Sequence, residues 1–251
     1  MRSAQFPDPG IHASTPTATA TASETPTHTP TVTETATQVP SGPVTITYDA
    51  VGNRLTQDNT VNGLSFTASY GYDPAHQRMT SVNGVTYTWD ANGNLRNDGV
   101  KTYTYDAANR LVTVSGPELA MSYAYSGLGD RLQEAVNGNT TTFTMDLNAG
   151  LTQALSDGTN TYIYDVDRLA QVNSGTEYFL GDALGSVRQL ADANGAVTYA
   201  SAYDPYGVTT QTYGAAQPAY GYAGEYSDSY NELVYLRARY YAPYLNQFIL
   251  S

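Results

Sequence analysis

Carboxylates and tyrosines supply most of the reactive side chains in this sequence, with 23 Asp and Glu and 23 Tyr against three His and no Cys. The missing cysteine removes disulfides, zinc-cysteine sites and thiol nucleophiles. His76 is the only histidine beyond residue 43 and falls in an expected turn, so neither a nucleophile-histidine triad nor a histidine-rich metal site is anticipated. Asp90-Ala91-Asn92-Gly93-Asn94 superficially resembles a calcium loop, but Leu95 stands where an EF-hand needs Gly and Lys101 where it needs its closing Glu. Gly181 to Gly185 lacks the strand and helix context of a nucleotide loop and reads as turn glycines. The residues therefore point to no catalytic group, no cofactor and no metal.

Charge narrows the partners. The formal net charge of −12 leaves little Lys and Arg to neutralise phosphates, so nucleic acid is not an expected partner. Tyrosines beside Asp and Asn on a β-surface could stack on sugar rings, which makes carbohydrate or cell-wall binding an alternative to plain cross-strand packing.

The elements that would carry these residues follow from a repeat. Aromatic-Asp units recur at Tyr48-Asp49, Tyr72-Asp73, Trp89-Asp90 and Tyr105-Asp106, with variants at Tyr125-Ser126, Met145-Asp146 and Tyr164-Asp165. An Asp there can accept hydrogen bonds from backbone amides two residues on, and Gly52, Gly93 or Gly129 supplies φ > 0, so each unit reads as a chain reversal. Arg54, Arg78, Arg96, Arg110, Arg131 and Arg168 open the return strands, six of ten arginines, which argues for scaffold. The neighbouring Leu is expected to face the core, with the Arg over a ring or beside an Asp. Asn62-Gly63, Asn83-Gly84, Asp98-Gly99, Asn137-Gly138, Asp157-Gly158 and Asn194-Gly195 are expected to form tight type I′ turns between the units. Alternation such as Lys101-Thr102-Tyr103-Thr104-Tyr105 puts the large side chains on one face. The expected fold is all-β, an antiparallel array of β-hairpins.

Residues 1–43 differ. Ser14 to Pro40 holds 11 Thr and 4 Pro in 27 residues with no aromatic, Arg or Lys, so 1–43 reads as a disordered Thr/Pro-rich linker of the kind found on secreted stalks. Nothing in the chain approaches ~18 consecutive apolar residues, so no transmembrane helix is expected, and 1–43 lacks a signal-peptide run.

The repeat resembles the YD/Rhs family, with repeats over 44–175. Residues 176–251 are similar to the Rhs repeat-associated core, through Phe179-Leu180-Gly181-Asp182-Ala183-Leu184-Gly185, Tyr203-Asp204-Pro205-Tyr206-Gly207, Tyr222-Ala223-Gly224-Glu225-Tyr226 and Leu236-Arg237-Ala238-Arg239-Tyr240-Tyr241. The resemblance implies a spiral strip that walls in a carried polypeptide, as in bacterial toxin complexes, polymorphic toxins and teneurins. With about seven repeats, this chain would form a partial shell or an open curved sheet. The implied role is a structural, encapsulating scaffold at the cell surface or outside the cell, a fragment or decayed copy without its toxin. Its implied partner is an enclosed toxin polypeptide, with cell-surface glycans as the alternative.

In the family, the end of the core often cuts itself as an aspartyl-type protease, using two carboxylates around an Arg-Tyr-Tyr-Asp-Pro motif. Arg239-Tyr240-Tyr241 matches that motif, but Ala242 replaces its Asp, and the second Asp-Pro is not reached by Ser251. Self-cleavage is therefore not expected, and the chain is not expected to be an enzyme.

Overall fold

The structure is a computed structural model describing residues 44–250 apart from 62–63, 76–77, 149 and 217, with side chains at 59–61 and 64 also left out. The tether expected at 1–43, the turn at Asn62-Gly63 and His76 lie outside the described residues. Twenty strands, from Thr45–Tyr48 to Thr209–Tyr213, follow one another in antiparallel sheets of five, seven and eight strands. A fourth sheet of four strands, from Tyr226–Ser227 to Gln247–Phe248, completes the chain. Among the described residues every strand in these sheets is bonded to its neighbour in sequence, as expected of a hairpin array.

The three large sheets are sections of one strip. Between the first two, strands Val85–Thr86 and Thr88–Trp89 are separated only by Tyr87, whose N–H still reaches the Thr80 carbonyl at 2.8 Å. Between the second and third, Phe143 separates Asn139–Thr142 from Thr144–Asp146 and donates to Leu132 at 2.8 Å. A strand that changes sheets at a single residue bends the surface without breaking its hydrogen bonding. The described strip curls far enough to bring its ends together: the Tyr48 and Tyr206 hydroxyls hydrogen-bond across 158 residues, and the Arg54 guanidinium lies 5.0 Å from the Tyr206 ring centre. The sheets themselves do not close.

The Tyr-Asp turns form as the residue types dictate. Asp90 Oδ1 accepts the N–H groups of Asn92 and Asn94, each at 2.9 Å, while Oδ2 takes the Asn94 side-chain amide at 2.9 Å. Asp49, Asp106, Asp182 and Asp204 repeat the pattern, each receiving amides two and four residues on, and Asp192 makes the same bonds in a turn on the opposite rim. Gly93 sits at φ 93°, a region costly for a side chain with Cβ, and Asn109 takes that place in the next unit at φ 59°.

On the other rim the expectation of type I′ turns holds in part. Asn83-Gly84 and Asn137-Gly138 have positive φ at both residues, as that turn requires. At Asp98-Gly99, Asp157-Gly158 and Asn194-Gly195 only the glycine does. Asp98 and Asp157 instead turn inward, accepting two backbone amides and the hydroxyl of the tyrosine five residues on, Tyr103 at 2.7 Å and Tyr162. A buried carboxylate satisfied by three donors replaces the free side chain of a tight turn.

The expected placement of Arg and Leu also needs correction. Leu111 and Met79 are buried beside Arg110 and Arg78, as anticipated, but Arg54 and Arg131 are buried while Leu55 and Leu132 are exposed. The residue paired with the turn aromatic points inward, and that residue is Leu111 opposite Tyr105 and Met79 opposite Tyr72 but Arg54 opposite Tyr48 and Arg131 opposite Tyr125, with a bulge following in each case. Tyr125 pairs with Arg131 and Ala124 with Gln133, so Leu132 is the extra residue. Tyr48, Trp89, Tyr105, Tyr164 and Gly181 show the same register shift. One added residue reverses the alternation of faces, so positions three apart point inward together. The inward pairs are Arg54 and Gln57, Leu95 and Asp98, Leu111 and Val114, Arg131 and Glu134, and Val187 and Leu190, all buried.

Candidate functional site on the inner face of the strip

The inner face is packed rather than hollow where the C-terminal sheet meets the repeats. Met79, Leu95, Leu111, Val114 and Met121 from the strip form one core with Leu233, Tyr235, Tyr240, Leu245 and Ile249. Leu95 N–H donates to the Ile249 carbonyl at 2.8 Å and Tyr105 Oη reaches the same oxygen at 3.2 Å, so the C-terminal segment is also stitched on by backbone bonds.

At the centre of this contact is a buried polar cluster. The Arg131 guanidinium lies 4.3 Å from the ring centres of Tyr226 and Tyr235 and 4.9 Å from that of Phe143, and its Nη1 pairs with Glu134 Oε2 at 3.0 Å. Asp228 accepts the Tyr123 hydroxyl at 3.1 Å, and Asn231 Nδ2 donates to that hydroxyl at 2.6 Å. Burial pushes the Glu134 carboxyl up to about 7, with Arg131 opposing the rise and Asp228 adding to it. Two neighbouring carboxyls are the raw material of acid-base chemistry. Here Glu134 is held by Arg131 and by Tyr226 Oη at 3.4 Å, and Asp228 by Tyr123 and the Tyr230 amide, so the cluster locks the repeat strand to the C-terminal sheet, which plugs the inner side of the strip.

This cluster was not anticipated, although a signal existed. Arg54-Leu55-Thr56-Gln57, Arg131-Leu132-Gln133-Glu134 and Arg168-Leu169-Ala170-Gln171 share Arg-Leu-x-Gln/Glu, which is the bulge spacing written in polar residues. Arg54 Nη1 bonds Gln57 Oε1, repeating the Arg131 geometry with a neutral partner.

The residues of the self-cleavage motif stand together in strand Arg239–Ala242. Ala242 is fully buried and pairs with Gln247. Arg239 is exposed and stacks at 3.8 Å from the Phe248 ring centre, remote from the role of an acid-base group. Asn246 sits in the left-handed region at φ 56°, which Asn and Gly take more readily than other residues. In the calcium-like loop, the Asp90 oxygens are spent on Asn92 and Asn94, and among the described residues no group of three His, Cys, Asp or Glu could hold a metal. No helix among the described residues is long and apolar enough to cross a membrane.

Seven of the tyrosines that could have formed a sugar-stacking platform face inward instead, while Tyr48, Tyr178, Tyr213 and Tyr230 stay exposed. Tyr103, Tyr123, Tyr162, Tyr199, Tyr220, Tyr235 and Tyr240 are buried, and Tyr162 meets Tyr220 edge-on at 4.9 Å.

Comparison with known proteins agrees with this architecture. The chain is 35% identical over 210 residues to the tRNA3(Ser)-specific nuclease WapA of Bacillus spizizenii and 33% identical over 210 residues to the tRNA nuclease WapA of Bacillus subtilis. In each case the match covers 78% of this chain and 9% of the relative, so the chain spans only a small part of their length. Among solved structures, a Photorhabdus luminescens Tc holotoxin pore superposes with a TM-score of 0.69 at 19% identity, and the TcdB2-TccC3-TEV crystal structure with 0.66 at 19%. Each superposition covers 83% of this chain and 12% of the other, and establishes likeness of fold. The teneurin YD-shell family profile matches residues 30–251. With its Tyr-Asp hairpins, post-turn bulges and C-terminal plug, this chain belongs to the teneurin YD-shell family.

Proposed function

We propose that this chain is a wall-and-plug segment of a toxin-related scaffold that encloses a polypeptide, acting outside the cell or at its surface. Residues 44–175, the repeats, serve as the wall, the associated core 176–251 extends it through Tyr213 and fills it with its C-terminal sheet from Tyr226 to Phe248, and 1–43 is the tether. The observation that carries this reading is the burial of Ile249 and Leu250 in the inner core. Any polypeptide continuing from that point in a longer form starts on the concave side of the wall. The segment itself is not an enzyme on this reading, and the nuclease chemistry named for the WapA relatives resides in parts of those proteins that it does not match. Acidity and the absence of a free acid-base pair at Ala242 support that view.

Two measurements test it. Purified chain incubated with total tRNA is expected to leave it intact, and tRNA cleavage by homogeneous protein would assign the nuclease to this segment. A reporter polypeptide joined after Ser251 is expected to resist added protease longer than the same reporter joined after a chain ending at Asp192. Equal protease lifetimes would remove enclosure from the proposal.

A further inference from the structure

Because each strand reverses into the next, all turns of the Tyr-Asp type fall on one rim of the strip and the intervening turns on the other. The two rims differ. On the Tyr-Asp rim, successive turns and connections from the fifth repeat onward end in Leu128, Leu147, Leu151, Val166 and Leu184, with Leu128 and Val166 each 87% exposed and Leu184 70%. The opposite rim turns mostly through Asn, Asp, Gly, Ser and Pro, with Val85, Val100, Val197 and Tyr213 as its exposed apolar residues, none more than 63% exposed. Hairpins advance about 10 Å along a strip, two strand spacings, so the apolar row runs roughly 30 Å. Large side chains so exposed in a row mark a contact surface rather than scattered surface residues.

Behind Val166 and Leu184 the rim opens into a cavity of about 760 Å³ whose inner wall includes Phe143, Phe179, Tyr220 and Tyr226. Five carboxylates and three guanidiniums line it. The guanidiniums are engaged: Arg131 by Glu134, Arg237 by Glu225 at 2.9 Å, and Arg168 by the Gly224 carbonyl at 2.9 Å and the Tyr220 ring. Asp182 is likewise paired with Arg188 at 2.9 Å. Asp130, Asp165 and Asp167 have no ion pair among the described residues, and Asp165 and Asp167 flank Val166 in the solvent.

We propose that this rim and cavity form a docking groove for a cationic, leucine-rich or phenylalanine-rich polypeptide segment. Apolar side chains of the segment seat against the lips and the aromatic wall, and its Lys or Arg side chains meet Asp130, Asp165 and Asp167. An elongated row with a deep pocket suits a chain segment better than a compact small molecule, and the unpaired carboxylates select its charge. The lips of the groove lie on the rim and its aromatic wall on the inner face, and the inference does not require that the concave side enclose a carried polypeptide.

The test uses the full chain with a short fluorescein-labelled Lys/Leu peptide, read by anisotropy. Saturable binding that weakens with added salt is expected. A Glu/Leu peptide of the same pattern is expected not to bind. Val166→Ser with Leu184→Ser should weaken binding roughly tenfold by removing exposed contact area, without lowering Tm. Val100→Ser on the opposite rim should leave binding unchanged. Equal binding of the acidic peptide, no saturable binding, or indifference to the double substitution would overturn the proposal. So would sedimentation showing a dimer that Leu184→Ser dissolves, because the groove would then belong to a second copy of the chain.

Discussion

Arg131 and Glu134 lie three residues apart in one strand and still meet inside the core, Nη1 to Oε2 at 3.0 Å. Simple alternation would send them to opposite faces. The bulge at Leu132 turns both inward, and the plug residues Tyr226 and Tyr235 close over the pair. The most demanding electrostatic contact of the molecule thus depends on a local irregularity repeated after nearly every Tyr-Asp turn.

Removing one partner should therefore cost far more than removing both. Arg131→Ala leaves Glu134 buried and unpaired, with an expected loss of about 3–5 kcal/mol in urea unfolding. The double change Arg131→Met with Glu134→Leu should recover much of that loss. A double variant as weak as the single one would place the stabilisation in the aryl stacking of Arg131 rather than in charge pairing.

Glu134 should also give the molecule a pH dependence near neutrality. Its carboxyl is raised from the ordinary 4.5 to about 7, so the folded state holds that proton more tightly than the unfolded chain. The associated stability is fully present below about 4.5 and is lost as pH rises through about 7. Glu134→Gln should flatten the Tm profile across that window relative to the parent, and parallel profiles would refute the shift.

At the turns, backbone conformation sets the ranking. Gly93→Ala forces a Cβ into φ 93° and should cost about 1–2 kcal/mol, whereas Asn109→Gly, at a position already tolerant of φ 59°, should change stability by a few tenths. Equilibrium unfolding of both variants checks the order.

Ala242→Asp restores the residue type of the self-cleavage pattern at a fully buried position without supplying its second carboxylate. The expected outcome is an intact mass after prolonged incubation together with a lower Tm, since the new carboxyl is buried without a designed partner. Time-dependent cleavage near residue 242 would show that a carboxylate already in the core can complete the pair.

Hairpin order, the Asp-capped turns and the large-side-chain face were legible in the sequence, because each depends on residues within a few positions of one another. Tyr-Asp spacing, φ > 0 at Gly52 and Gly93, and Thr alternation beside Tyr103 all act locally. What tertiary structure decided is the facing of the residues after each turn and what they meet. An extra residue in one strand has no meaning until its partner strand fixes the register, so Leu55 and Leu132 looked like core while Arg54 and Arg131 occupy it. Those arginines can be buried because Tyr206 in one case, and Tyr226 and Tyr235 in the other, arrive from distant parts of the chain to join the nearby Tyr70 and Glu134 in taking up their charge.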